Sequence, residues 1–178
     1  VPYRSRSFLA CKTMMRRAGE ARKELEHSLK TMQTDHFDLY QLHALTTEED
    51  IATAFGPGGA MEIFFKAREE GKVRFLGFSA HSENAALAAM AHFPFDTILF
   101  PVNFVNWFAG QFGPRVLPVA REKKMGILAL KGLAHRAIKE GESSRYRKVW
   151  YHPIAAEEDE TARLALNWTY GQGVTAAI

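Results

Sequence analysis

Cysteine is almost absent from this chain, which has only Cys11 among its 178 residues. A single cysteine cannot form an internal disulfide, and it cannot supply the clustered thiolates of a zinc or iron–sulfur centre. Its scarcity therefore excludes a disulfide-stapled domain and a cysteine-based cluster held within these residues. It fits a reducing compartment, and we expect a cytoplasmic protein.

Long apolar runs and a strong charge imbalance are also missing. No apolar run approaches the roughly 20 residues that cross a bilayer, so we expect no membrane span. Lys and Arg number 23 against 20 Asp and Glu, a net charge of +3. Because the basic residues are interspersed with acidic ones along predicted helices, this weak excess does not indicate a nucleic-acid or membrane partner.

Short apolar runs alternate with segments of helical periodicity over the whole chain. The predicted strands cover residues 8–13, 37–43, 73–79, 97–103, 126–132 and 173–178. The predicted helices cover residues 18–33, 59–70, 82–92, 115–124 and 159–170. Repeated strand–helix–strand units predict an α/β fold with a parallel sheet, either an open doubly wound sheet or a (β/α)8 barrel.

Local signals refine this organisation. Ser82 is a predicted helix N-cap, and Gly71 lies where the preceding helix would end. The glycine-rich stretch 55–65 lacks the Lys-Ser/Thr pair of a phosphate-binding loop, so we interpret it as a turn and a helix start. Residues 140–158 lack a clear period and predict a loop. We expect one domain over 1–178, with both chain ends interrupting the strand–helix repeat.

Polar residues recur at the carboxyl ends of five predicted strands: Lys12, His43, Ser79, Asn103 and Lys131. In a parallel sheet these ends share one edge, which is where barrels and open α/β sheets bind ligands. A lone His or Lys at such a position is usually structural. Five in register predict a functional site. His36 and His43 lie on opposite faces of a predicted strand and no carboxylate completes a metal site with them, so we expect no metal.

Several segments resemble the aldo-keto reductase family in order and spacing. The segments "FLACKT", "LEHSLKTMQTDHFDLYQLH" and "GKVRFLGFSAHS", with the strand that carries Asn103, resemble its third to sixth strands. "MGILALKGL" and "ARLALNWTYGQGVTAAI" are similar to its seventh strand, final helix and eighth strand, and the "GFSAHS" motif is similar to a bacterial branch. The resemblance implies a partial (β/α)8 TIM barrel, with roughly strands three to eight in 1–178.

The resemblance also implies a chemistry, the reduction of aldehydes and ketones by hydride transfer from NADPH to a small-molecule carbonyl substrate. Lys12 matches the lysine that favours the phenolate form of a proton-donating tyrosine, and His43 matches the histidine that orients the carbonyl. The family's Asp and Tyr would precede Val1. Neither Tyr40, inside a strand, nor Tyr3 replaces that tyrosine, so the chain alone holds half of the catalytic tetrad.

Four residues match the family's cofactor contacts. Ser79 matches the serine that meets the nicotinamide carboxamide, and Asn103 ends the strand beside it. Lys131, Gly132 and Leu133 stand where the family has the Ser-Pro-Leu segment that touches the pyrophosphate. NADPH is the expected cofactor, and NADH stays open because the region that would contact the 2′-phosphate follows strand eight.

Three positions depart from the family pattern: Ala80 replaces an asparagine, Leu99 a glutamine and Leu130 the aromatic residue that stacks on nicotinamide. These changes motivate a second hypothesis, a non-catalytic barrel that binds nicotinamide nucleotide as a sensor or partner subunit. A third hypothesis is an unrelated α/β binding domain in which the five polar residues at the strand ends are structural. The substrate and the oligomeric state are left open by the sequence.

Overall fold

Six parallel strands form the main sheet in the computed structural model, which describes residues 3–143 and 151–178. The described residues form eight strands in all: β1 (Ala10–Thr13), β2 (Phe37–Leu45), β3 (Val73–Ala80), β4 (Thr97–Pro101), β5 (Gly126–Leu130), β6 (Ala134–Ala137), β7 (Tyr151–Pro153) and β8 (Ala176–Ala177). The main sheet has the order β1-β2-β3-β4-β5-β8, and β6 and β7 form a separate antiparallel pair.

Seven helices lie between these strands within the described ranges. They are α1 (Ala18–Thr31), α2 (Glu48–Phe55), α3 (Ala60–Glu69), α4 (Glu83–His92), α5 (Phe104–Ala109), α6 (Val116–Glu122) and α7 (Asp159–Gly171). Amphipathic spacing explains their packing: α1 buries Ala21, Leu25 and Leu29, which recur every four residues on one face. None of the helices in the described part of the chain is both long and apolar enough to cross a membrane.

The order of the strands decides between the two predicted architectures. Consecutive strands are neighbours across the whole main sheet, whereas a doubly wound sheet reverses its strand order at a switch point. The fold is therefore that of a barrel wall. Within the described residues β1 and β8 do not pair with each other, so these six strands form part of a barrel.

The two faces of the sheet have different environments because side chains alternate along each strand. Tyr40, Leu42 and Phe78 belong to the large apolar core formed with the helices. On the other face, Gln41 lies in register with Gly77, and the Gln41 amide nitrogen lies 3.5 Å from the Thr97 hydroxyl. The second face is the barrel interior, and it carries the more polar residues.

The predicted elements agree closely with the structure. All five predicted helices and all six predicted strands are present, with ends shifted by a few residues. The Ser82 hydroxyl accepts a hydrogen bond from the Ala85 N–H at 3.3 Å, which confirms the N-cap. Gly71 follows α3 with φ 72°, and Gly59 is the N-cap of α3, so the glycine-rich stretch is a turn and a helix start.

Four short elements were not predicted: α2, α5, β6 and β7. Helices α2 and α5 have eight and six residues, so an apolar period has only about two turns or fewer in which to show. The predicted loop 140–158 is wrong at residues 151–153, which form β7 and pair with β6. Residues 144–150 of that loop lie outside the described ranges. A three-residue strand has too few residues for a recognisable alternation.

Gly77→Ala should destabilise the sheet by about 1–3 kcal/mol, the usual cost of overpacking. The added Cβ would clash with the Thr97 hydroxyl and lie 3.0 Å from the Thr97 carbonyl oxygen, which is backbone and cannot move aside. Urea unfolding monitored by circular dichroism measures the loss.

Gly19→Ala is the matched control for that substitution. A Cβ at Gly19 would meet nothing within 4 Å, and the residue lies in the first turn of α1. The substitution should raise the unfolding free energy by up to about 1 kcal/mol, since alanine is the better helix former. Equal behaviour of the two variants would contradict the packing argument.

Candidate active site

The five predicted site residues lie at one edge of the sheet. Lys12, His43 and Ser79 are within the last residues of β1, β2 and β3. Asn103 is the N-cap of α5, two residues after β4, and Lys131 directly follows β5. Because these strands are parallel, the five positions share the carboxyl edge, which we call the rim.

An extra residue near the end of β2 determines how His43 is presented. Leu42 pairs with Phe78 and Leu45 pairs with Ala80, so β2 has one more residue than β3 across this step. The extra length is accommodated at His43 and Ala44, and Ala44 takes a φ of 56°. Bulges of this kind re-aim a side chain, and they are common beside active sites.

The buried Ser79 hydroxyl holds this bulge from the neighbouring strand. Its oxygen accepts a hydrogen bond from the Ala44 N–H at 2.7 Å. The serine is 1% exposed, but its hydroxyl hydrogen is still available to donate to another group. Ser79 therefore has a structural task in addition to its predicted contact with the cofactor.

Arg16 holds the bulge from the loop after β1. One of its terminal nitrogens donates to the carbonyl oxygens of His43, at 2.7 Å, and Ala44, at 3.2 Å. The other terminal nitrogen donates to the Met14 carbonyl at 3.0 Å. The Nε of Arg16 lies 2.9 Å from an Asp50 carboxylate oxygen. The sequence analysis did not identify Arg16.

Asp50 belongs to the N-terminus of α2, where it completes a capping box with Thr47. Its second oxygen accepts hydrogen bonds from the Thr46 N–H at 2.9 Å and the Thr47 N–H at 3.2 Å. Burial alone would raise the pKa of Asp50, but these N–H groups and Arg16 outweigh it and lower that pKa. The spacing Thr47-x-x-Asp50 is the sequence signal that could have identified this helix start.

The surroundings of His43 keep its ring neutral near pH 7. Partial burial lowers the pKa of this imidazole, and the positive charges of Lys12 and Arg16 lower it further, against a weaker opposing effect of Glu24. A neutral imidazole still carries one N–H donor. His43 can therefore donate a hydrogen bond at the rim without bringing a positive charge.

His81, in the "GFSAHS" segment, is a second histidine at the rim and was not among the predicted site residues. Desolvation lowers the pKa of its imidazole, followed by the positive charges of Lys131, His43 and Lys12. Burial likewise lowers the pKa of Lys131. These couplings bring four positively ionisable groups from four different strand ends into one electrostatic cluster.

Asn103 and Lys131 line a cavity of about 200 Å³ on this side of the sheet, together with Asn106, Arg136 and Tyr151. The Asn103 oxygen accepts from the Asn106 N–H at 2.8 Å, whereas its Nδ2 is buried and has no hydrogen-bond partner among the described residues. The Lys131 ammonium lies 5.9 Å from the centre of the Tyr151 ring. Arg136 is already paired with Glu142, at 2.7 Å. The unsatisfied N–H donor of Asn103 and the Lys131 ammonium are therefore the groups that suit a ligand with acceptor oxygens or phosphate.

Leu133 does not join this group through its side chain. It is 39% exposed, it does not line the cavity, and its carbonyl accepts from the Ile154 N–H at 2.9 Å. Within the described residues, no group of three or more His, Cys, Asp or Glu side chains is placed to hold a metal ion.

Tyr40 lies on the helix side of the sheet, away from the rim. Its ring centre is 5.0 Å from that of Phe64 and 6.0 Å from that of Phe37, and its side chain is fully buried. Burial raises the pKa of its hydroxyl above the usual value, which makes proton transfer at neutral pH harder. These contacts support the interpretation that Tyr40 is not the proton donor.

Comparison with known families decides the identity of this fold. The model of the aldo/keto reductase family matches residues 3–174. The chain belongs to the aldo/keto reductase family. The "CKT", "DLYQLH" and "GFS" segments, which carried the resemblance, all lie within the matched range.

Individual relatives agree with this assignment. This aldo/keto reductase chain is 33% identical over 120 residues to the aldo-keto reductase YhdN of Bacillus subtilis, over 65% of its own length and 33% of that protein. Among solved structures, the holo form of AKR11C1 from Bacillus halodurans has a TM-score of 0.68 at 20% identity, covering 98% of this chain and 62% of that one. These alignments confirm the partial (β/α)8 barrel.

A second solved structure is an aldo/keto reductase from Klebsiella pneumoniae in complex with NADP and acetate. Its TM-score is 0.60 at 21% identity, and the alignment covers 74% of this chain and 45% of that one. The chain spans between a third and about three fifths of the lengths of these relatives. At these identities the structural likeness concerns the fold.

The rim histidines predict a pH dependence of stability. Because the folded pKa values of His43 and His81 are lowered, the unfolded chain takes up protons first as the pH falls below about 6.5. The unfolding free energy should therefore be highest above about pH 6.5 and should fall as the pH drops toward the folded pKa values. Urea unfolding at several pH values measures this.

Replacing both histidines by glutamine should flatten the pH dependence between about pH 5 and pH 7. His135→Gln, on the exposed strand β6, is the matched control and should leave the slope unchanged. An equally steep slope in the double variant would show that other groups cause it.

Proposed function

We propose that the protein containing this chain is an NADPH-dependent reductase of small-molecule aldehydes or ketones. The observation that carries the proposal is the rim itself, where Lys12 and His43 lie at adjacent strand ends, with the cavity of Asn103 and Lys131 on the same edge. Membership of the aldo/keto reductase family supports an oxidoreductase. The NADP complex of the Klebsiella relative supports this class of cofactor.

His43 has the role of a hydrogen-bond donor in this proposal. When bound, the reduced nicotinamide supplies a hydride to the carbonyl carbon, and negative charge then develops on the carbonyl oxygen. The neutral His43 ring directs its N–H at that oxygen and stabilises the developing charge. Burial lowers the pKa of this imidazole most, and the positive charge of Lys12 lowers it further, which favours the neutral ring.

Lys12 acts on the proton in this proposal. The resemblance assigns proton donation to a tyrosine hydroxyl, whose unperturbed pKa of about 10 is too high for efficient transfer near pH 7. An adjacent ammonium favours the phenolate form and lowers that pKa. The resemblance assigns the tyrosine and its aspartate partner to a strand before Val1, so this role is proposed for the protein as a whole.

The cofactor pocket is proposed at Ser79, Asn103, Lys131 and Leu133. The unsatisfied Asn103 Nδ2 and the remaining Ser79 hydroxyl hydrogen suit the carbonyl oxygen of a carboxamide. The Lys131 ammonium suits a phosphate oxygen. The proposed contact of Leu133 would have to use its backbone N–H, because its side chain lies outside the cavity. NADH is retained as an alternative donor.

A second candidate, a nicotinamide-nucleotide sensor or partner subunit, is favoured by one observation. Ala80 is fully buried and Leu99 is 4% exposed, and neither offers a polar side chain to a nicotinamide ring. A ring bound without those contacts would be held less firmly in a reactive pose. Turnover distinguishes the two candidates, because both predict binding.

Lys12→Met in the complete protein should lower the rate of carbonyl-dependent NADPH oxidation by about 100-fold or more, since it removes the group that assists proton transfer. The decrease in absorbance of NADPH with a panel of aromatic and aliphatic aldehydes measures this rate. NADPH binding should persist in the variant.

Lys123→Met is the control for that substitution, because Lys123 is an exposed lysine after α6, near the opposite end of the strands. It should retain the parent activity. Saturable NADPH binding without turnover in the parent protein would favour the sensor. A Lys12→Met variant as active as the parent would contradict the catalytic role.

Lys131→Met should weaken NADPH binding about tenfold, the effect of losing roughly 1.4 kcal/mol of a charge-assisted contact. Fluorescence titration at low and high salt measures it, and the variant should show a smaller dependence on salt. Lys139→Met, at an exposed position beyond β6, is the control. Unchanged affinity in the Lys131 variant would place the phosphates elsewhere.

A further inference from the structure

The guanidinium of Arg16 connects both strand ends that carry the proposed catalytic side chains. It donates to the carbonyl of Met14, two residues after Lys12, and to the carbonyls of His43 and Ala44. It also lies 2.9 Å from Asp50 at the start of α2. One side chain therefore links the loop after β1, the bulge of β2 and the N-terminus of α2.

Its contacts fix the peptide that follows His43. Both carbonyls of the His43–Ala44 segment accept from the same Arg16 nitrogen, while the Ala44 N–H donates to Ser79 from the other side. Ala44 has a φ of 56°, a conformation that alanine adopts rarely. Such a conformation persists only where its surroundings hold it, and here hydrogen bonds from two elements do so.

The demand on Arg16 is geometric as well as electrostatic. It uses Nε and both terminal nitrogens at once, in the fixed planar fork that only arginine offers. Asp50 orients that fork, and its own second oxygen is held by Thr46 and Thr47. The side chains of Arg16 and Asp50 are only 13% and 22% exposed, so solvent screens this pair weakly.

We propose that Arg16, oriented by Asp50, is a positioning residue that sets the direction of the His43 imidazole at the rim. The pair acts through the backbone of the bulge and does not touch the reacting atoms. The catalytic consequence rests on the proposed reductase function, whereas the effect on the His43 ring is measurable without turnover.

A second ion pair, which holds the other end of β2, provides a matched control. Arg4 and Asp38 are also 2.9 Å apart, with side chains 17% and 15% exposed. Arg4 likewise donates to backbone carbonyls, those of Ser7 and His36. This pair holds the amino end of β2, far along the strand from His43. It therefore has the same kinds of contact as Arg16 and Asp50 but does not act on the segment that carries His43.

The test compares Arg16→Lys with Arg4→Lys in the complete protein, by the NMR titration of the His43 ring and by steady-state kinetics. Arg16→Lys keeps the charge but loses the fork. It should shift the His43 ring signals and lower kcat by about 10- to 100-fold, with little change in the KM for NADPH. Arg4→Lys should lower the melting temperature comparably and leave the His43 signals and kcat unchanged.

Asp50→Asn is the second variant, for use if Arg16→Lys does not fold. It keeps the size and shape of the side chain that faces Arg16. It should also shift the His43 ring signals and lower kcat, because Arg16 loses its charged partner. The proposal is overturned if the His43 signals of the folded variants match the parent, or if Arg4→Lys changes them equally. Shifted signals in a protein without turnover would support the positioning role and reject the reductase.

Discussion

Parallel pairing of consecutive strands is the constraint on which this site depends. Each helical connection returns the chain to the amino end of the main sheet, so its six strands all reach their carboxyl ends at the same edge. Residues separated by more than a hundred positions, such as Lys12 and Lys131, are brought to one rim by this repetition alone. The helices and their core fix the spacing of the rim, because they fill the outer face with closely packed apolar side chains.

The rim concentrates positively ionisable groups, and the structure limits the resulting repulsion. Burial and neighbouring positive charges lower the pKa values of His43 and His81, so these histidines stay neutral near pH 7, and burial lowers the pKa of Lys131. An anionic cofactor would relieve the remaining repulsion, because its phosphates are opposite in charge. A neutral His43 ring can still donate a hydrogen bond, and the positive charge beside it is then carried by Lys12. Acid–base roles are thus separated by environment.

Most of the fold was predictable because its signals are local and repeated. Short apolar runs and helical periods located six strands and five helices, and the resemblance of several segments indicated the aldo/keto reductase family. The short elements α2, α5, β6 and β7 carried too few residues for such patterns to be recognised. In the site, the five rim residues were predictable from strand ends. The Arg16–Asp50 pair was not, since its partners lie 27 to 34 residues from Arg16.

The sequence by itself determined which residues lie near the carboxyl ends of the main strands and which of them can carry a proton or a charge. It did so because alternation and capping are properties of neighbouring residues. The tertiary structure alone decided the bulge at His43 and Ala44, the hydrogen bond from Ala44 to Ser79 and the unsatisfied Asn103 amide. These depend on the register between strands and on burial, and both are set only when distant segments pack together.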